Sequence, residues 1–298
     1  MDFIFGKTPF VTKFNWADFG NTRVGMKMEA MNPFSASIKE RIAFAMINDA
    51  IVAQKHDNGF VEASSGNTGI ALAAVSAQYG LPCHIFMPES MPVERRNAML
   101  ARGAILHLVD GNMTKAKQEA ALFAVENNVF YTDQFSNPAN PRIHYETTGP
   151  EIVRELESNG LTAKSKILLV AGVGTGGHIT GVGRRLKEHF PKTIVIAVEP
   201  AESRVLSSYP AGKHGIFGIG AGFIPAVLDR NVVDGVIAVS TEEARQASVD
   251  FSKNEGFWVG ISTGANLAAI KRIGPCDKTT FVTFCYDRGE NNASSLDL

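Results

Sequence analysis

The sequence predicts an α/β protein built on mostly parallel sheet, in two domains or one large one, and three observations carry that expectation. Its 298 residues exceed the usual size of a single domain. Short apolar runs of strand length alternate with stretches of helical period, the signature of βαβ units. The glycine-rich turns fall where a strand-like run gives way to a helical one, and in parallel sheets those turns hold ligands.

In order, a helix is expected over Ser37–Val52, a strand over GFVEA (59–63) and a helix through 71–80. CHIFMP (83–88) reads as a strand, 93–103 as a helix, AILHLV (104–109) as a strand and 115–127 as a helix. VFYT (129–132) is a further strand. Later come a helix over 150–158, the strand KILLVAG (166–172), a helix through 180–190 and the strand TIVIAVEP (193–200). Between them DQFSNPANPRIHYETTG (133–149) is rich in proline and asparagine, and it is the expected crossing between lobes, with a boundary near residue 145.

Composition removes several classes of function. Hydrophobic residues make up 45% and charged residues 20%, as in an ordinary globular protein. Lys and Arg number 29 against 30 Asp and Glu, so no basic field is present to hold a nucleic acid. Cys83, Cys276 and Cys285 are odd in number and widely spaced, which fits neither a disulfide framework nor a metal site and suits a reducing cytoplasm. The first residues, MDFIFGKTPFVTKF, lack the pattern of a signal peptide, and no apolar run is long enough to span a membrane.

Three turns carry chemistry. GVGTGG (172–177) follows a strand and opens a helix, where glycines admit a close ligand and unpaired N–H groups with the helix dipole favour a phosphate. Gly172, Gly174 and Gly177 also satisfy the dinucleotide spacing, with Glu199 ending the next strand, so a nicotinamide enzyme answers equally to this segment alone. SSGNTG (64–69) repeats the strand-to-helix arrangement with hydroxyl and amide donors that suit a carboxylate, or simply cap the helix. In NPFSASIKER (32–41), Ser37 and Glu40 have capping-box spacing and Lys39 sits in the first helical turn. The positive end of the dipole disfavours an ammonium there, which suits a lysine acting as nucleophile and base, although a solvated lysine fits the segment too. A phosphate turn, a carboxylate turn and an activated lysine together are what a pyridoxal-phosphate enzyme acting on an amino acid needs.

The ordered motifs resemble the cysteine synthase (O-acetylserine sulfhydrylase) family, related to cystathionine β-synthase, over nearly the whole chain. Its N-P-x-x-S-x-K-x-R is met by Asn32, Pro33, Ser37, Lys39 and Arg41, and its T-S-G-N-T-G by SSGNTG with Ser64 for Thr. The stretches 133–152, GVGTGGHITGVGR (172–184), GIGAGFIP (218–225) and GISTGAN (260–266) match as well. His178 stands where the family usually has Thr, and Asn291 and Asn292 replace an Arg-Tyr pair in the tail.

The resemblance implies fold-type II architecture, similar to the tryptophan synthase β chain, with a doubly wound, mostly parallel sheet in each of two lobes. The smaller, mobile, substrate-closing lobe would span 35–145, and the larger, phosphate-binding lobe 1–34 plus 146–298. It implies that Lys39 carries pyridoxal 5′-phosphate as a Schiff base and moves the α-proton, and that Asn67 contacts the ring 3′-oxygen. Gly174, Thr175, Gly176, Gly177 and His178 would wrap the phosphate, with Ser262 facing the pyridine nitrogen. Ser64, Ser65, Gly66, Asn67, Thr68, Gln134 and Gly218 would bind substrate. The implied reaction is β-replacement, turning O-acetyl-L-serine and sulfide into L-cysteine through an aminoacrylate, without a metal. O-phosphoserine as first substrate, a cystathionine β-synthase-like reaction and a non-catalytic binding relative stay open as alternatives. A cytoplasmic homodimer with a serine acetyltransferase as partner is also implied.

Overall fold

The computed structural model describes residues 6–16, 20 and 22–291. The signal-peptide reading at residues 1–5 and the tail comparison at Asn292 lie outside the described residues. The chain divides into two compact units, the smaller including Asn32–Asn140 and the larger Gly6–Met31 with the chain from Pro141 onward.

The larger unit begins with β1 (Phe10–Val11) and β2 (Arg23–Met28). The chain then forms the smaller unit: α1 (Lys39–Val52), β3 (Phe60–Ala63), α2 (Asn67–Gln78), β4 (Cys83–Pro88), α3 (Val93–Leu100), β5 (Ile105–Val109), α4 (Met113–Glu126) and β6 (Phe130–Tyr131). The helix α5 (Ala139–Ile143) leads through a π-helical turn, His144–Thr148, into α6 (Gly149–Ser158). The stretch read from sequence as a proline-rich crossing is therefore helical from Ala139. The larger unit continues with β7 (Lys166–Gly172), α7 (Gly177–His189), β8 (Ile194–Pro200), β9 (Gly235–Val239), α8 (Thr241–Glu255), α9 (Ile261–Ile273) and β10 (Thr279–Cys285).

In the smaller unit the strand order is β5-β4-β3-β6, all parallel. The chain steps outward from β3 to β5 and then returns to the other side of β3. In the larger unit the order is β1-β2-β10-β7-β8-β9, and only β1–β2 is antiparallel. There the chain steps outward from β7 to β9 and returns to the other side of β7. Each sheet is thus doubly wound and mostly parallel, as expected. Each has a switch of direction, β3/β6 in one and β7/β10 in the other, and a crevice opens beyond the carboxyl ends at such a switch.

Burial follows this architecture. In β7 only Lys166 is exposed and the next six residues are buried, the continuous apolar run of a central parallel strand. The larger core gathers Met26, Val170, Val198, Phe251, Leu267 and Phe281, and a cluster of Val61, Phe86, Val109 and Ala120 packs the smaller sheet. Among described residues, no helix is long and apolar enough to cross a membrane.

Candidate active site

In the smaller unit, β3 ends at Ala63 and the chain turns through Ser64–Gly66 into α2, while β6 ends beside it and leads to Gln134. Ser64 is buried, and its hydroxyl accepts the Gly66 and Gly69 N–H groups at 3.3 and 3.1 Å, bracing the turn from inside. Arg95 Nη1 donates to Ser65 O at 3.1 Å. Gly66 is the N-cap of α2 with no side-chain capping bond, and a Cβ there would meet nothing within 4 Å. The structure joins two of the expected carboxylate residues directly: Thr68 Oγ1 donates to Gln134 Oε1 at 2.7 Å. The Gln134 amide thereby turns its oxygen to Thr68 and keeps its N–H donors for another acceptor. Such donors beside an open helix N-terminus suit a small carboxylate.

A residue missed in the sequence holds this arrangement. Glu62 is buried in β3; its Oε2 accepts Thr132 Oγ1 at 2.6 Å and Gln134 N at 3.0 Å, and its Oε1 accepts Ala63 N at 3.0 Å. Burial pushes its carboxyl up to about 7, against the pull of these donors. Asp133, between Thr132 and Gln134, takes a left-handed φ of 42°. A non-glycine residue in that region costs about 1–3 kcal/mol and persists only where its surroundings fix it. The one available signal was an acidic residue inside the strand-like run GFVEA.

Lys39, half-buried, opens α1. The expected capping box does not form. Ser37 Oγ accepts the Lys39 N–H at 3.3 Å, but the Glu40 carboxylate turns back to Phe34 N (3.0 Å), Ser35 N (2.7 Å) and Ser35 Oγ (3.0 Å). The preceding turn needs that anchor, because Ala36 has φ 51°. Asn32 Nδ2 adds a bond to Ser37 O at 3.2 Å. The turn that presents Lys39 is thus fixed from within.

In the larger unit, β7 passes through Val173–Gly176 into α7. Gly176, the N-cap, has φ 82° and no side-chain capping bond. A Cβ on Gly174 would run into Gly218 O, and one on Gly176 would lie 2.7 Å from Leu228 Cβ. Thr175 and His178 are buried, and Thr175 Oγ1 lies 3.5 Å from Gly177 N. A glycine turn shaped by packing, with helix N–H groups at its mouth, fits a phosphate. Buried Ser262, second residue of α9, lies next to Gly218, where a Cβ would be 3.6 Å from its hydroxyl. The phosphate-loop residues, Gly218 and Ser262 therefore lie together in this unit, as Lys39, Ser64–Thr68 and Gln134 all belong to the smaller one. No group of three or more His, Cys, Asp or Glu able to hold a metal occurs among described residues.

Two doubly wound sheets with glycine turns suited to small anions at their switch points, plus a lysine on a fixed helix start, fit an enzyme of phosphorylated-cofactor chemistry. The comparisons make this specific. The family model described as "Pyridoxal-phosphate dependent enzyme" matches residues 1–285. A cysteine synthase of Staphylococcus aureus is 41% identical over 298 residues, covering 98% of this chain and 94% of that protein. The solved O-acetylserine sulfhydrylase isoform 3 of Entamoeba histolytica has a TM-score of 0.89 at 38% identity, covering 97% of this chain and 88% of that one. A solved O-ureido-L-serine synthase has a TM-score of 0.91 at 33% identity, covering 97% and 92%.

The chain belongs to the pyridoxal-phosphate dependent enzymes, in the cysteine synthase family. Its cofactor is pyridoxal 5′-phosphate, and the nicotinamide alternative left open by the glycine spacing is set aside.

Proposed function

We propose that the enzyme makes L-cysteine by β-replacement, taking O-acetyl-L-serine and sulfide and releasing acetate. The observation that carries this reading is the Thr68–Gln134 bond at 2.7 Å, which orients an amide donor beside the start of α2, where Ser64 takes the Gly69 N–H and the Gly66 N-cap brings no side chain, for an amino-acid carboxylate. The similarity to cysteine synthases supports the choice of reaction.

The Lys39 amine would hold the cofactor through its aldehyde and, once released by substrate, would carry the α-proton. The cofactor supplies the electron sink that makes this proton acidic and lets the β-substituent leave. Gly174, Thr175, Gly176, Gly177 and His178 would hold its phosphate, Asn67 would meet the ring oxygen, and Ser262 would face the pyridine nitrogen as a neutral partner. Ser65, Gly66, Asn67, Thr68 and Gln134 take the substrate carboxylate, braced by Ser64, with Gly218 on the substrate side of the larger unit. With the cofactor bound, the neutral Ser262 hydroxyl would not favour protonation of the ring nitrogen, which suits elimination and replacement over transamination. We place the enzyme in the cytoplasm as a homodimer with a serine acetyltransferase as partner. Its three free cysteines are compatible with a reducing compartment.

The test is a steady-state assay of L-cysteine formation from sulfide with O-acetyl-L-serine and with O-phospho-L-serine. Turnover confined to the phosphorylated substrate would move the enzyme to that specificity. Lys39→Ala should abolish turnover and leave no cofactor that borohydride fixes to the protein; a fixed adduct in that variant would remove Lys39 from its role.

A further inference from the structure

The crevice at the β7/β10 switch has a feature of its own. The two strands pair only from Lys166/Thr279 to Leu169/Val282. Beyond that point β7 continues against β8 as far as Gly172, and β10 against β2 as far as Cys285. The strands part, and the main-chain groups of Val170–Gly172 that face β10 lose their ladder partners. Buried backbone groups need replacements.

Side-chain hydroxyls supply them. Thr283 Oγ1 donates to Val170 O at 2.9 Å, and the Gly172 N–H donates to Tyr286 Oη at 2.8 Å. The same Tyr286 oxygen lies 3.0 Å from His178 Nε2 and 3.4 Å from Gly172 O. One oxygen therefore ties Gly172, where the chain enters the glycine turn, to His178, where it leaves into α7. Both side chains are buried, Tyr286 at 6% exposure and His178 at 7%. The rings are fixed by stacking: Phe284 lies nearly parallel to Tyr286 (13°), and His178 stands across both, at 86° to Phe284 and 79° to Tyr286. His144 closes the far side at a centroid distance of 6.1 Å from His178.

We propose that Tyr286 and His178 form one positioning unit for the phosphate-holding turn, setting the spacing of its N–H groups by clamping its two ends. The inference rests on the reading that residues 174–178 hold the cofactor phosphate. Packing against Gly218 and Leu228 confines the middle of the turn, and the clamp ties its two ends to each other. Several N–H groups that must converge on one phosphate lose alignment together when the ends part.

Tyr286→Phe keeps the ring and removes only the hydroxyl, whereas His178→Phe keeps an aromatic ring, slightly larger, and removes both ring nitrogens. The readouts are the 31P resonance of the bound phosphate in the holoenzyme and the rate at which the holoenzyme loses pyridoxal 5′-phosphate on dilution. Each variant should shift the resonance and lose cofactor at least roughly tenfold faster, the effect of one lost buried hydrogen bond in His178→Phe and of two in Tyr286→Phe. The double variant should be little worse than Tyr286→Phe alone, because the two groups act through the same oxygen. A lower melting temperature with unchanged resonance and retention would make the pair merely structural and overturn the proposal. Should Tyr286→Phe fail to fold, His178→Phe, which keeps the Gly172–Tyr286 bond, gives the same reading. Thr175→Ala separates the two layers of inference. If it shifts the resonance and the ring variants do not, the clamp falls and the phosphate turn stands. If none of the three does, both fall.

Discussion

A Cβ placed on Gly66 would meet nothing within 4 Å, whereas one on Gly174 would run into a backbone carbonyl and one on Gly176 would press on Leu228. The two strand-to-helix turns look alike in sequence, yet their glycines serve opposite ends. In the smaller unit, side chains shape the turn: Ser64 braces it, Thr68 holds Gln134, and Glu62 anchors Gln134 from below. Gly66 leaves space. In the larger unit, packing and a left-handed φ shape the turn, and glycine is required for the backbone to pass. A rigid backbone suits the phosphate proposed for the one turn, and side-chain donors around a gap suit the substrate carboxylate proposed for the other.

The contrast is broken most severely at Gly174. Gly174→Ala sets a methyl against Gly218 O, which belongs to the backbone and cannot swing aside. Overpacking of this kind costs about 1–3 kcal/mol. Cofactor affinity should fall by more than tenfold, measured by absorbance titration of the apoenzyme, together with a lower melting temperature. Retention of wild-type affinity would show that the turn tolerates a different path.

The second effect, at Thr68, should spare the cofactor. Thr68→Ala removes the donor to Gln134 Oε1 and frees the amide to rotate. Affinity for O-acetyl-L-serine should drop about ten- to a hundred-fold, and discrimination against its methyl ester should shrink. Equal discrimination in variant and wild type would leave this turn as a helix start only.

Glu62 gives a smaller effect that depends on pH. Its carboxyl is pushed from 4.5 up to about 7, chiefly by burial. The folded protein therefore holds this proton more tightly than the unfolded chain. The stabilisation is complete below about 4.5 and is lost as pH rises through about 7, at no more than about 1.4 kcal/mol per pH unit. Denaturant titrations should show this decline in the wild type and its absence in Glu62→Gln. Parallel profiles would place the proton elsewhere.

What the sequence made legible was local. The strand over 166–172 is observed with the bounds read from its apolar run, and the alternation of strands and helices matches through Pro200. Helix α2 begins at Asn67 rather than near 71, because Ser, Gly and Asn read as turn while Asn67 already belongs to the first helical turn. The 133–149 stretch reads as loop from its composition, yet Pro141 sits within the short helix α5, and a π-helical turn follows. Elements after Pro200, and β1 and β2, were not assigned from periodicity. In the site, residues that act through neighbours in sequence, such as Ser64, Gly176 and Lys39, stood out in their motifs. Glu62 and Tyr286 did not: Glu62 binds residues about seventy positions away, and Tyr286 one 114 away, so their roles exist only after the sheets form.

The smallest effect on stability is expected at Gly66, and it gives the sharpest test of the contrast with Gly174. Its φ of −146° is open to any residue, and the space above it is empty of protein atoms, so alanine meets no clash. As N-cap of α2, glycine is moderately favoured over alanine, and the substitution should cost no more than about 1 kcal/mol. The cofactor should bind as in the wild type, because on the proposed reading its phosphate is held by the other turn. The methyl group, however, enters the gap assigned to the substrate carboxylate, and affinity for O-acetyl-L-serine should fall a few-fold. Gly66→Ala would thus leave the melting curve and the cofactor nearly untouched while weakening only the amino acid, the reverse of Gly174→Ala. The measurement is the pair of titrations, cofactor and substrate, on both variants alongside their thermal unfolding. If Gly66→Ala binds substrate as well as the wild type, the gap is not where the carboxylate sits. If it unfolds as readily as Gly174→Ala, the two glycines do the same work and the contrast between the turns disappears.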